Sequence, residues 1–130
     1  LAPENIILSE SFQSDSTNLI KITNFDVATL YDFKPFKSWL KKSNRLFSAP
    51  ESLQGIYSEK NDVWSCGMLM KSLLFENLTL ENKCFSSDKL AFMKHKNYLS
   101  DTELNLLNSM LEKNYTLRIT MDNVVDKFKY

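Results

Sequence analysis

A mainly α-helical domain carrying one short β-hairpin is the architecture that this sequence predicts, and three observations carry the expectation. The stretch from Val63 to Phe75 is apolar on nearly every side, which marks a buried helix. Ser100-Asp101-Thr102-Glu103 fits a helix capping box and leads into Leu104, Leu107 and Leu111 at i, i+3 and i+7. Ile6-Ile7-Leu8 and Leu19 to Ile22 are short apolar runs separated by an almost wholly polar segment, the pattern of two strands joined by a loop.

Taken in order, the two strands come first. From Asn24 to Glu51 no period is sustained and Pro35 and Pro50 interrupt any helix, so a long irregular segment is expected, bearing Lys34, Lys37, Lys41, Lys42 and Arg45. Ser58 precedes the central apolar helix, which includes Val63, Trp64, Cys66, Met68, Leu69, Met70, Leu73, Leu74 and Phe75 and is too short to cross a bilayer. Residues 77–83 form a polar break. Ser86-Ser87-Asp88 can then cap a short helix through Leu90, Phe92 and Met93. In the capping box, Ser100 is expected to accept from a first-turn amide while Glu103 reaches back, with Met110 beside the leucine stripe. Thr120 caps a last helix whose apolar face is Met121, Val124, Val125 and Phe128, giving about four helices and no internal repeat.

Composition narrows the function classes. With 130 residues, 43% hydrophobic and 25% charged, the chain suits one soluble domain with a modest core. Sixteen acidic and sixteen basic residues cancel, which removes the general electrostatic argument for nucleic-acid or anionic-membrane binding. No membrane span or signal peptide is legible, so an intracellular, cytoplasmic setting is expected. Cys66 and Cys84 lack metal-ligand spacing and are expected to be reduced, buried thiols. Asn77 and Asn114 match the glycosylation pattern, which in an Asn-rich chain without a secretory signal reads as coincidence. A chain opening at Leu1 without Met is expected to be a piece of something longer or a gene product with a missing start.

Five motifs then stand in order along the chain. Leu1-Ala2-Pro3-Glu4-Asn5-Ile6-Ile7-Leu8 resembles the L-K-P-E-N-I-L-L that follows His-Arg-Asp in serine/threonine protein kinases, close to the calcium-dependent and calmodulin-dependent groups. Lys21-Ile22-Thr23-Asn24-Phe25-Asp26 lies where these have K-I-x-D-F-G. Ser48-Ala49-Pro50-Glu51 resembles the Ala-Pro-Glu motif, and Tyr57 to Gly67 resembles Y-x-x-K-x-D-V-W-S-x-G. Leu117-Arg118-Ile119-Thr120 resembles a late K-R-x-T. The resemblance implies a protein-kinase-like C-terminal lobe over residues 1–130, with a short β-hairpin, an activation-type loop and about four helices. A whole kinase domain has about 250 residues, so one lobe at most is present.

By the same resemblance, Asn5 matches the catalytic-loop asparagine that holds magnesium, and Asn24 replaces the aspartate that bridges the metal to the β- and γ-phosphates of ATP. Magnesium binding depends on carboxylate charge, and an amide keeps the shape without the charge. Lewis-acid stabilisation contributes several kcal/mol, so its loss implies a roughly thousandfold or larger drop in rate. Ala2 replaces the lysine that contacts the transferring phosphate. Asp26 replaces a glycine, which implies backbone strain, and as an alternative its carboxylate shares a side with residue 24 if the backbone is extended. A two-residue shift moves a ligand about 6–7 Å, which favours Asp26 facing solvent.

The motifs that hold the family's structure are better kept. Glu51 and Arg118 correspond to a buried ion pair, and Asp62 to the residue that accepts catalytic-loop backbone amides, its plain alternative being a first-turn aspartate favoured by the helix dipole. Trp64 and Phe25 are expected in the core. Ser43-Asn44-Arg45-Leu46-Phe47 replaces G-T-x-x-Y, while Ser38 and Ser43 among lysines are candidate phosphorylation sites. The lysines themselves read as a solvated surface.

The resulting expectation is a catalytically impaired, pseudokinase-like domain that acts by binding a protein partner, such as an active kinase. The alternative is an active ATP- and Mg2+-dependent serine/threonine kinase in the full-length protein. A truncated, nonfunctional product is a third reading, with poor stability of the isolated chain as its sign.

Overall fold

The computed structural model describes residues 1–9, 19–26, 28, 36–37, 46–74 and 99–128. A 3-10 turn at Pro3–Asn5 leads into strand β1 (Ile6–Ser9), which pairs antiparallel with β2 (Leu19–Ile22) in the register Ile6↔Ile22 and Leu8↔Ile20. This is the hairpin that the two apolar runs predict. Proline fits the first turn because it surrenders no hydrogen bond there. The backbone tie continues one step past the ladder, since Thr23 donates its N–H to the Asn5 carbonyl at 2.8 Å.

The segment expected to be irregular contains a short ladder. Strand β3 (Phe36–Lys37) pairs antiparallel with β4 (Ile56–Tyr57), so residues far apart in sequence supply the hydrogen-bonding partners that local periodicity cannot reveal. Between them lies a second 3-10 turn, Glu51–Gln54, closed by Gly55 at φ 78, whose N–H donates back to the Glu51 and Ser52 carbonyls. Only glycine takes that left-handed position without steric cost.

Helix α1 (Lys60–Leu74) is the central element. The Asn61 side-chain carbonyl accepts from the Ser58 N–H at 2.5 Å and closes the entry turn. Helix α2 (Asp101–Met110) opens on the expected capping box, with the Ser100 Oγ accepting from the Glu103 N–H at 3.3 Å and the Ser100 N–H donating to Glu103 Oε2 at 2.8 Å. Because these hydrogen bonds favour the ionised carboxylate, Glu103 is held below the ordinary glutamate range, the Ser100 side chain contributing most. Helix α3 (Met121–Asp126) starts at the Thr120 cap, whose hydroxyl accepts from the Asn123 N–H at 3.4 Å.

Three apolar clusters share α1. Val63 packs with Leu106, Met110 and Val124, while Trp64, Met68 and Leu69 pack with Ala2, Phe47 and Leu111. Met70 and Leu74 join Leu99, Leu104 and Leu107. Each fully buried aliphatic side chain contributes about 1.5–3 kcal/mol. Gly67 lets α1 approach α2 closely, because a Cβ there would lie 2.9 Å from Leu111 Cδ2 and 3.1 Å from Met110 Cβ.

Several sequence expectations need correction. Phe25 is 65% exposed, since it follows a turn beyond the end of β2 and is not carried into the helical core. Leu73 is 85% exposed and Lys71 is buried, so the stretch expected to be buried on nearly every side leaves part of α1 open to solvent. Val125 and Phe128 are also exposed, and α3 ends before Phe128. The helix expected at 88–93, the fourth, lies outside the described residues, which contain three.

Candidate functional site

The end of the first 3-10 turn and the end of β2 meet, and they carry Asn5 and Asn24. Asn24 Nδ2 donates to Asn5 Oδ1 at 3.2 Å, so the two sequence-predicted metal positions are adjacent. The approach is built from the hairpin: the Asn5 carbonyl accepts the Thr23 N–H at 2.8 Å and lies 3.3 Å from the Thr23 hydroxyl, while the Asn5 N–H donates to Ala2 O at 3.0 Å. Asn24 then turns at φ 60, and is the single non-glycine residue with positive φ among those described. Asparagine is among the few side chains that take the left-handed region readily.

That turn alters two expectations about Asp26. Strain falls on Asn24 and not on Asp26, because the positive φ sits two residues earlier than the sequence implied. The chain is also not extended through 24–26, so the same-side argument for an Asp26 carboxylate loses its premise. Asp26 is exposed, as expected for a solvent-facing residue.

A magnesium ion requires hard oxygen donors with carboxylate charge. Here the Asn5 side-chain oxygen faces an amide NH2, both side chains are neutral, and no group of three or more His, Cys, Asp or Glu able to hold a metal occurs among the described residues. The residues at this position do not fit magnesium as they are arranged.

Ala2 is 5% exposed and belongs to the apolar cluster with Phe47 and Met68. A lysine here would start its side chain inside packed hydrocarbon. Phe47 stands at the tyrosine position of the family pattern and its ring side chain is core, while its carbonyl receives the Ser65 hydroxyl of α1 at 2.9 Å. The Ser65 contact was not legible in the sequence, where Ser65 reads only as part of a motif.

Glu51 and Arg118 form the expected buried pair. Arg118 Nη1 and Nη2 donate to Glu51 Oε1 and Oε2 at 2.7 and 2.9 Å, with side-chain exposures of 0% and 5% for the arginine and the glutamate. The guanidinium also donates to the Lys60 carbonyl at 2.7 Å and the Glu112 carbonyl at 2.9 Å, and lies 4.9 Å from the centre of the Trp64 ring. Five interactions thus converge on one side chain. Trp64 is half-buried in the core, as expected.

Asp62 lies in the first turn of α1 with Oδ1 3.6 Å from the Leu1 nitrogen, next to the backbone of the Leu1–Asn5 segment. The Asp62 side chain is 71% exposed. Cys66 is half-buried and free, and burial, then the Asp62 charge, pushes its thiol pKa up. A thiol with a raised pKa is poorly nucleophilic, which agrees with a structural role. Ser38, Ser43 and Cys84 lie outside the described residues. No helix among the described residues is long and apolar enough to cross a membrane.

A family model described as the protein kinase domain matches residues 1–128. The chain belongs to the protein kinase family. It is similar to calcium-dependent protein kinase 6 of Plasmodium berghei, 35% identical over 127 residues that cover 91% of this chain and 8% of that protein. Calcium-dependent protein kinase 4 of Plasmodium falciparum is 39% identical over 75 residues, covering 57% of this chain and 13% of the relative. Serine/threonine-protein kinase chk1 of Schizosaccharomyces pombe is 31% identical over 137 residues, covering 96% and 26%. The chain therefore spans from 8% to 26% of the length of these serine/threonine-kinase relatives.

Proposed function

We propose that this chain is the C-terminal lobe of a serine/threonine-kinase-like domain whose phosphoryl transfer is impaired, and that it acts by binding a cytoplasmic protein partner such as an active kinase. The observation that carries this reading is the amide pair: Asn24 donates to Asn5, where the family chemistry calls for a charged oxygen facing a metal. Burial of Ala2 among Phe47 and Met68 supports it, since the phosphate-contacting cation is absent from that position as well. Phosphoryl transfer is catalysed almost wholly by positioning and electrostatic stabilisation, so losing two of these groups together removes much of the rate.

The reading is tested on the purified full-length protein by Mg2+-dependent ATP binding and transfer to a serine/threonine peptide, before and after Asn24→Asp. The expected result is no metal-dependent transfer by the unaltered protein and no rescue by the single change, because Ala2 remains. Robust transfer by the unaltered protein would overturn it.

The second reading, an active ATP-dependent serine/threonine kinase, is favoured by the similarity to proteins that are all named as kinases. It requires a carboxylate from elsewhere to meet the metal. Recovery of transfer on Asn24→Asp alone would show that only the metal ligand had been lost.

A further inference from the structure

We propose that the Asn24–Asn5 amide pair is a metal-independent latch that holds the Asn-Phe-Asp turn against the Leu1–Asn5 segment. The inference rests on the impaired-metal reading above and adds what the substitution supplies in place of the ion.

Three observations converge on residue 5. Its side-chain oxygen accepts from Asn24 Nδ2 at 3.2 Å, its carbonyl accepts the Thr23 N–H at 2.8 Å, and its own N–H donates to Ala2 O at 3.0 Å. Asn24 reaches it from φ 60, a backbone position that brings the side chain back toward the strand it has just left. An aspartate at 24 would be acceptor-only when ionised and would carry a charge into this contact. It would need a cation, or a reoriented Asn5 amide, to face it. With asparagine, the Nδ2 donor meets the Asn5 Oδ1 acceptor, turning both amides together keeps a donor facing an acceptor, and no charge is left to neutralise. The change that subtracts a metal ligand therefore adds a hydrogen-bond donor at the same point.

Asn5 and Asn24 are positioning residues in this scheme, and the readout is amide hydrogen exchange. Thr23 and Ala28 donate their N–H groups to Asn5 O and Phe25 O at 2.8 and 2.9 Å, so their amides report on either side of the turn. In the purified full-length protein, exchange at both should be the same in EDTA and in saturating MgCl2. Asn5→Ala should accelerate Thr23 exchange roughly two- to tenfold, the effect of one modest hydrogen bond. Asn24→Gly keeps the left-handed backbone but deletes the amide, and should reproduce that acceleration, with the double variant no faster than either single one. Asn24→Asp, whose carboxylate can be met either by a turned Asn5 amide or by a cation, should make exchange at both amides differ between EDTA and MgCl2. The Leu107 amide inside α2 serves as the reference that separates local release from global unfolding.

Slowing of wild-type exchange by magnesium would overturn the latch, as would wild-type exchange in both Asn5→Ala and Asn24→Gly. Peptide phosphorylation measured on the same preparations separates the two claims. Transfer together with metal-insensitive exchange would refute the impaired-kinase reading and leave the latch standing. Absent transfer with exchange indifferent to both substitutions would refute the latch alone.

Discussion

Replacing Arg118 by alanine should remove the most extensively bonded buried side chain among the described residues. The guanidinium is fully buried and joins three elements: the Glu51–Gln54 turn through both Glu51 oxygens, the start of α1 through the Lys60 carbonyl, and the chain after α2 through the Glu112 carbonyl. Arg118→Ala leaves a buried carboxylate without its counter-charge and two carbonyls without these donors. Breaking a buried pair from one side costs about 3–5 kcal/mol, set against a total stability of about 5–15 kcal/mol for a typical domain. Glu51→Gln should cost less, since Arg118 would retain the two carbonyls and the Trp64 face 4.9 Å away. Urea unfolding followed by circular dichroism measures this directly. With a slope of about 2 kcal/mol/M, a 4 kcal/mol loss lowers the midpoint by about 2 M at unchanged slope. Replacing both partners by methionine should cost less than Arg118→Ala, because no unpaired charge then remains. A loss under about 1 kcal/mol for Arg118→Ala, the range of a solvated ion pair, would refute the reasoning. So would a double replacement costing as much as the two single changes added together.

Three further outcomes are expected. Gly67→Ala gains about 1 kcal/mol of helix propensity but forces a Cβ to within 3.1 Å of Met110 Cβ, and overpacking of about 1–3 kcal/mol should win, so a raised melting temperature would refute the close-approach role. Ala2→Lys should destabilise by about 1–3 kcal/mol as the side chain enters the Phe47–Met68 cluster, and a stability equal to the parent in urea would show that the position opens freely to solvent. Glu103 is lowered in the folded state, so its contribution is present above the unfolded-state pKa and is lost as pH falls through the folded one. Ser100→Ala should therefore destabilise α2 more at neutral pH than in acid below the ordinary glutamate range, and a pH-independent difference would sink the linkage.

Legibility followed the range of the interaction that sets each feature. Ser100 and Glu103, three residues apart, announced the start of α2, and the capping box is present as read. Short apolar runs around a polar segment also placed the hairpin, and a nearly unbroken apolar stretch placed the central helix, because both are local patterns. The Phe36–Lys37 strand was missed because its partner, Ile56–Tyr57, lies nineteen residues away and a two-residue ladder leaves no period. Phe25 was misplaced for a different cause: hydrophobicity alone predicts burial, whereas the turn at Asn24 decides where the side chain is delivered. At the site, the resemblance implied that Asn5 and Asn24 stand where the family holds its magnesium, and the structure brings the two together. The resemblance did not predict that they would bond to each other, since φ 60 at Asn24 is a conformational outcome that identity permits but does not dictate.

The two kinds of position differ in what the fold demands of them, and packing explains why they are not interchangeable. Glu51 and Arg118 are each buried and bonded to one another, so loss of either strands a charge. Asn5 and Asn24 are solvent-accessible, and a neutral amide pair there leaves nothing stranded, so folding places no demand for a carboxylate. Ala2 differs again, because its side chain has been absorbed into the same apolar cluster as Phe47 and Met68. Restoring a cation at residue 2 would therefore require repacking at residues 47 and 68 as well, whereas a carboxylate at residue 24 could be met by a cation or by a turned Asn5 amide with no change in the apolar cluster. Residue 24 is thus the more easily changed of the two, and a single Asn24→Asp change is expected to make the turn sensitive to cations without any repacking at residue 2.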